Sequence, residues 1–192
     1  MDEAPDRPAR GRPTRGAERK PPRPVTAAYL DRAALAYLER YASSADNLRR
    51  VLKRKIDNRC RLRGEEADPF YPLLDEVIAK TQRLGLIDDT RYAEARVATL
   101  RRRGGSARAI QAKLSAKGVA RETIQAALQG DEGDPAEDEE AAAHAFARRR
   151  KLGPYRPGDR APYRDKDLAT LARAGFPFDI VRRIIDGERP EE

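Results

Sequence analysis

The chain has 192 residues, with 40 Lys and Arg against 32 Asp and Glu and a formal net charge of +8. A single Cys and a single His exclude an internal disulfide framework and a Cys- or His-rich metal site, and no stretch approaches the roughly 18 apolar residues that cross a bilayer. The charged, Pro-rich start has no apolar secretory segment, so composition describes a soluble, basic protein of a reducing compartment, suited to polyanions such as nucleic acid, an acidic membrane surface or an acidic protein.

Residues 1–25 hold six Pro and seven Lys or Arg against four acids, with Val25 the one large apolar side chain after Met1. Such a segment buries too little apolar surface to offset its ordering entropy, and a disordered basic tail is predicted. From Thr26 an amphipathic helix is expected, with Tyr29, Ala33, Tyr37 and Tyr41 on one stripe beside Leu30, Ala34 and Leu38. Ser43 or Ser44 is positioned to cap a second helix with Leu48, Val51, Leu52 and Ile56 inward. Residues 57–70 then read as a loop containing Gly64 and Pro69. A third helix carries Leu74, Val77, Ile78 and Leu84 and stops near Gly85.

The pattern restarts at Asp88 or Asp89, which caps a helix with Tyr92, Ala93, Val97 and Leu100 that ends at Gly104–Gly105. Ser106 caps the next helix, with Ile110 and Leu114 inward and Gly118 as its stop. A helix from Arg121 to Leu128 completes this second set. After an acidic linker, an Ala-rich helix holds Phe146 and runs into Arg148–Lys151. Residues 152–163 read as a Pro-rich hinge or lengthened connection. A helix follows over Asp165–Ala174 with Leu168, Leu171 and Ala172 inward, and Pro177 opens a last one with Val181, Ile184 and Ile185.

The apolar spacing 0, +3, +4 recurs from helix to helix, and no strand-like alternation competes. The expected fold is all-α: tandem three-helix, helix-turn-helix-like repeats over 26–87, 88–130 and 131–187 (the last including the acidic linker), stacked into an elongated, curved array.

Charge is segregated along the chain. Residues 49–63 hold eight bases and one acid, residues 101–117 hold six bases and no acid, and residues 131–140 hold seven acids and no base. A helix dipole is complemented by one or two cations, not by eight in fifteen residues. The second helices of the first two repeats are therefore expected to present a basic ridge, with Arg50, Lys53, Arg54, Arg101, Arg102, Arg108, Lys113 and Lys117 as contacts to a phosphate backbone or nucleoprotein surface. The acidic block reads as a solvated linker, or as a phosphate mimic folded over that ridge. Cys60, in its basic surroundings, is expected to have a depressed pKa.

No phosphate loop, dinucleotide fingerprint, zinc-protease or nucleophile-elbow motif is present. His144 among alanines and Asp88–Asp89 at a helix start read as structural, so no enzyme, cofactor or metal is expected.

The junction Gly85-Leu86-Ile87-Asp88-Asp89-Thr90-Arg91-Tyr92-Ala93 and the basic helix from Gly105 to Val119 resemble the RecX family, regulators of the bacterial recombinase RecA. The stretches Ala34–Lys53 and Asp167–Phe178 fit the same pattern, and the resemblance covers about residues 27–186. It implies tandem three-helix repeats and a cytoplasmic, non-enzymatic protein, expected as a monomer. It also implies binding to RecA and its filament on single-stranded DNA, with inhibition of recombinase and ATPase activity. The residues leave two other readings open: a helix-turn-helix DNA-binding protein acting without RecA, and a scaffold for an acidic protein.

Overall fold

The computed structural model describes residues 21–130 and 134–189; the predicted tail 1–20 and residues 131–133 lie outside them. Nine α-helices and no strand occur among the described residues. They are α1 (Ala27–Leu38), α2 (Ala45–Arg63), α3 (Pro72–Arg83), α4 (Asp89–Arg102), α5 (Ala107–Ser115), α6 (Arg121–Gln129), α7 (Pro135–Arg150), α8 (Arg164–Arg173) and α9 (Phe178–Asp186). No helix among them is long and apolar enough to cross a membrane.

The starts follow from capping chemistry. Thr26, Ser44, Asp88, Ser106 and Asp134 each accept a backbone N–H of the first turn of α1, α2, α4, α5 and α7. The apolar faces gather into three cores. Leu30, Leu48, Leu52, Ile56, Leu74 and Val77 form the first, Ala93, Val97, Ile110, Leu114 and Ile124 the second, and Ala143, Ala147, Leu171, Val181 and Ile184 the third. Each large aliphatic chain so buried stabilises by about 1.5–3 kcal/mol. Units this small remain marginal alone, so the contacts between them matter.

Several expectations need correction. Residues 57–63 are not loop: Cys60 continues the stripe of Leu48, Leu52 and Ile56, and α2 runs to Arg63, where Gly64 closes it at φ +69°. Burial pushes the Cys60 thiol up, contrary to the depression expected from its basic neighbours. Val25 is buried, and the Arg63 guanidinium donates to the Pro22 carbonyl at 2.6 Å, so the ordered chain begins before residue 26. Tyr41 lies past the end of α1 and is 52% exposed, and Leu84 follows α3 at 63%. Periodicity extrapolated beyond a helix end fails because the backbone no longer holds the phase. Ala172 is likewise exposed on α8.

Residues 152–163 are pinned. The buried Asp167 carboxylate accepts the Gly153 N–H at 2.9 Å and a fork from Arg156 at 2.6 and 3.2 Å. Two short 3₁₀ turns, Gly153–Tyr155 and Ala161–Tyr163, fill the connection. His144 pairs through Nδ1 with the Tyr155 hydroxyl at 3.0 Å, and partial burial holds its pKa below 6.5.

Candidate nucleoprotein-binding face

The geometry is set by two junctions between helical triplets, and the junctions repeat. At the first, the Ser44 hydroxyl donates to the Lys117 carbonyl at the end of α5, and the Ala45 N–H donates to Asp89 at 2.9 Å. At the second, the Ser106 hydroxyl donates to the Ala174 carbonyl at the end of α8 at 2.7 Å, and the Ala107 N–H donates to Glu139 at 3.0 Å. In both, a cap serine closes its own helix and a carbonyl of the next triplet's second helix. An acid from the next triplet's first helix takes the N–H that follows. Orphan groups at two helix ends thus satisfy each other, with opposite dipole ends adjacent. Gly118 and Gly175, at φ +75° and +96°, allow the close approach.

The acidic block is thereby largely explained. Residues 134–140 are the cap and first turns of α7 instead of a solvated linker, begun by the Asp134–Pro135 pair. Glu139 is buried against Arg101 and the start of α5, with side-chain exposures of 8% and 13% for the acid and the base.

The eight candidate cations divide into two groups. Arg50 donates to the Ala116 carbonyl at 2.9 Å and to Asp46 at 2.6 Å, and Lys117 reaches Asn47 at 3.3 Å; both belong to the first junction. Lys53 donates to the Tyr71 hydroxyl at 2.7 Å and to Asp57, and Tyr71 donates to Asp57 at 2.7 Å. That hydrogen bond to Tyr71, and then Asp57, raises the Lys53 pKa, and the Tyr71 hydroxyl holds the Asp57 carboxyl low. Arg101 is turned inward onto Glu139 and leaves the surface ridge. Arg54, Arg102, Arg108 and Lys113 are exposed and have no hydrogen bond or ion pair among the described residues.

Sequence reasoning missed three further cations. Arg103, Arg149 and Arg173 share a groove of about 500 Å³ with Lys113 at the second junction, over Leu100 and Phe146. Arg103 directly follows α4, Arg149 lies on α7 and Arg173 on α8, and of the three only Arg103 falls in a basic run counted above. Among the described residues no group of three His, Cys, Asp or Glu is placed to hold a metal ion.

Comparison with known proteins agrees with this architecture. Residues 88–128 match the family model described as RecX, second three-helix domain. The chain is 42% identical over 190 residues to the regulatory protein RecX of Myxococcus xanthus, covering 97% of this chain and 98% of that protein. It is 35% identical over 156 residues to the regulatory protein RecX of Agrobacterium fabrum, covering 80% and 79%. In fold it is similar to the crystal structure of RecX from Lactobacillus salivarius, with a TM-score of 0.56 at 24% identity over 83% of this chain and 94% of that one. Taken with the three helical triplets, the near full-length match to the Myxococcus protein shows that this chain belongs to the RecX family of regulatory proteins.

Proposed function

We propose that this chain is a cytoplasmic, non-enzymatic regulator that binds RecA and its filaments on single-stranded DNA as a single copy and inhibits recombinase and ATPase activity during DNA repair and recombination. The observation that carries this reading is the match to regulatory RecX proteins along almost the whole chain. The charge geometry supports it. Arg54 on α2, with Arg102, Arg108 and Lys113 on α4 and α5, leaves positive charge unneutralised on two successive triplets. Contacts repeated along a filament lattice add as avidity, so each can be weak. The contact set is narrowed to these four, because Arg50, Lys53, Arg101 and Lys117 already have partners within the chain.

The pair Arg54→Glu with Arg108→Glu tests the face. Neither side chain has a hydrogen bond or ion pair among the described residues, so the melting temperature should stay near that of the parent. Binding to filaments on single-stranded DNA should weaken, and its log–log salt slope should fall by about 0.7 for each phosphate that is no longer neutralised. Unchanged binding and unchanged salt dependence would remove this face from the interface.

A further inference from the structure

The two junctions are built alike, yet the surfaces they leave open differ in chemistry. The first has a pocket of about 290 Å³ lined by Leu38, Tyr41, Leu86 and Tyr92, with Arg91 and Arg96 beside Asp88. The second has the larger groove, lined by Arg103, Lys113, Arg149 and Arg173 and by no acid among the described residues. Arg103 stands three residues before the cap Ser106, where the first triplet has Tyr41 before Ser44. Lys113 stands seven residues after that cap, where the first triplet has Val51. The joint is made at both places, so it does not require these cations. Four like charges converging on one groove repel one another, a cost that a bound anion relieves.

The internal hydrogen bonds of the groove leave its charge intact. Arg173 gives its Nε–H to the Ala169 carbonyl of its own helix at 3.1 Å, a neutral acceptor. Arg149 stands 5.7 Å from the centre of the Phe146 ring. Arg103 and Lys113 have no hydrogen bond or ion pair among the described residues. Beneath these exposed cations lie the buried Leu100 and the half-buried Phe146, whose ring packs edge-on to Phe176. An apolar, aromatic base under a cationic rim suits a strand whose bases are unpaired. Phosphates meet the rim and a base face meets the aromatic ring, whereas a duplex keeps its base faces stacked. Arg102 beside Arg103, and Arg150 and Lys151 after Arg149, are exposed neighbours in sequence that add positive charge, as a strand with several phosphates requires and an isolated anion does not.

We propose that the groove between the second and third helical triplets binds a single nucleic-acid strand directly, with Arg103, Lys113, Arg149 and Arg173 on its phosphates. This goes beyond filament regulation and needs no recombinase.

The test uses the full chain without recombinase and a fluorescein-labelled oligothymidylate, followed by anisotropy across a salt series. Arg103→Ala with Arg149→Ala should lower the log–log salt slope by about 1.4, two phosphates at about 0.7 each. The control pair Arg32→Ala with Arg121→Ala removes the same charge from α1 and α6, away from the groove, and should leave the slope near that of the parent. Unlabelled oligothymidylate should compete better than the matching duplex, polyglutamate or inorganic phosphate at equal ionic strength. Equal losses in the two variant pairs would reduce the effect to net charge and overturn the site. Equal competition by duplex, by polyglutamate or by phosphate would overturn it in favour of duplex, an acidic protein or an isolated anion, respectively. Each failure leaves filament regulation standing, since that is read separately from ATP hydrolysis by RecA.

Discussion

Glu139→Ala is expected to destabilise the chain by about 3–5 kcal/mol, the cost of removing one member of a buried ion pair. The Glu139 carboxylate accepts from the Arg101 guanidinium and from the Ala107 N–H, the latter at 3.0 and 3.2 Å. Its removal strands a cation that is only 13% exposed and a backbone donor in the first turn of α5. The Arg101 Nε already lacks a hydrogen-bond partner among the described residues, so little local rearrangement is available to absorb the loss. Glu139→Gln keeps an acceptor for the N–H and should lose less. Adding Arg101→Met to Glu139→Ala should recover part of the stability, because no buried charge is then left unpaired. Urea denaturation followed by circular dichroism reads all three variants. A Glu139→Ala variant within about 1 kcal/mol of the parent, as for an exposed pair, would contradict the buried linkage between the second and third triplets.

The second large effect concerns the first junction. At Gly118 a Cβ would fall 2.0 Å from Asp46 Oδ2 and 2.4 Å from Asp46 Cβ. The residue also sits at φ +75°, which costs an L side chain about 1–2 kcal/mol. Overpacking adds about 1–3 kcal/mol, so Gly118→Ala should lose about 2–5 kcal/mol in all. The clash pushes Asp46 away from its ion pair with Arg50 and loosens α2 from α5. Gly64→Ala is the control: φ is +69°, but nothing lies within 4 Å of the added carbon. It should cost only the backbone term of about 1–2 kcal/mol. Equal losses at the two positions would show that Gly118 serves turn geometry alone and that the joint tolerates a wider spacing.

The fold was legible where local chemistry and periodicity agree. Ser106, with Ile110 and Leu114 one and two turns on and Gly118 as the stop, specifies α5 from cap to end. The restart at Asp88 after Gly85 marks α4 equally well. The end of α2 was not legible, because its last turns are dense in Arg and Cys60 alone continues the apolar stripe. The junctions were not legible as such. Ser44 and Ser106 read as caps, but their second hydrogen bonds go to carbonyls 73 and 68 residues away, which no local pattern encodes. One signal was present for Glu139. Asp89, Ala93 and Val97 are spaced by four, as are Glu139, Ala143 and Ala147, and each acid stands at the head of a buried stripe. That correspondence identifies Glu139 as the counterpart of Asp89 instead of one more solvated acid.

The candidate face was legible in charge but not in availability. Counting bases over 49–63 and 101–117 finds the ridge. It does not distinguish Arg101, folded inward, from its neighbours Arg102 and Arg103, because the difference depends on an acid 38 residues further on. The groove escaped for the same reason: Arg103, Lys113, Arg149 and Arg173 converge only once α7 and α8 have packed against α4 and α5.

The most direct test of filament regulation is steady-state ATP hydrolysis by RecA assembled on single-stranded DNA, with this chain added at less than one copy per recombinase subunit. Filament regulation requires a fall in rate at these substoichiometric ratios, weakened in the Arg54→Glu, Arg108→Glu variant. An unchanged rate at equimolar protein, with the chain folded and bound to DNA at the same salt, would contradict it.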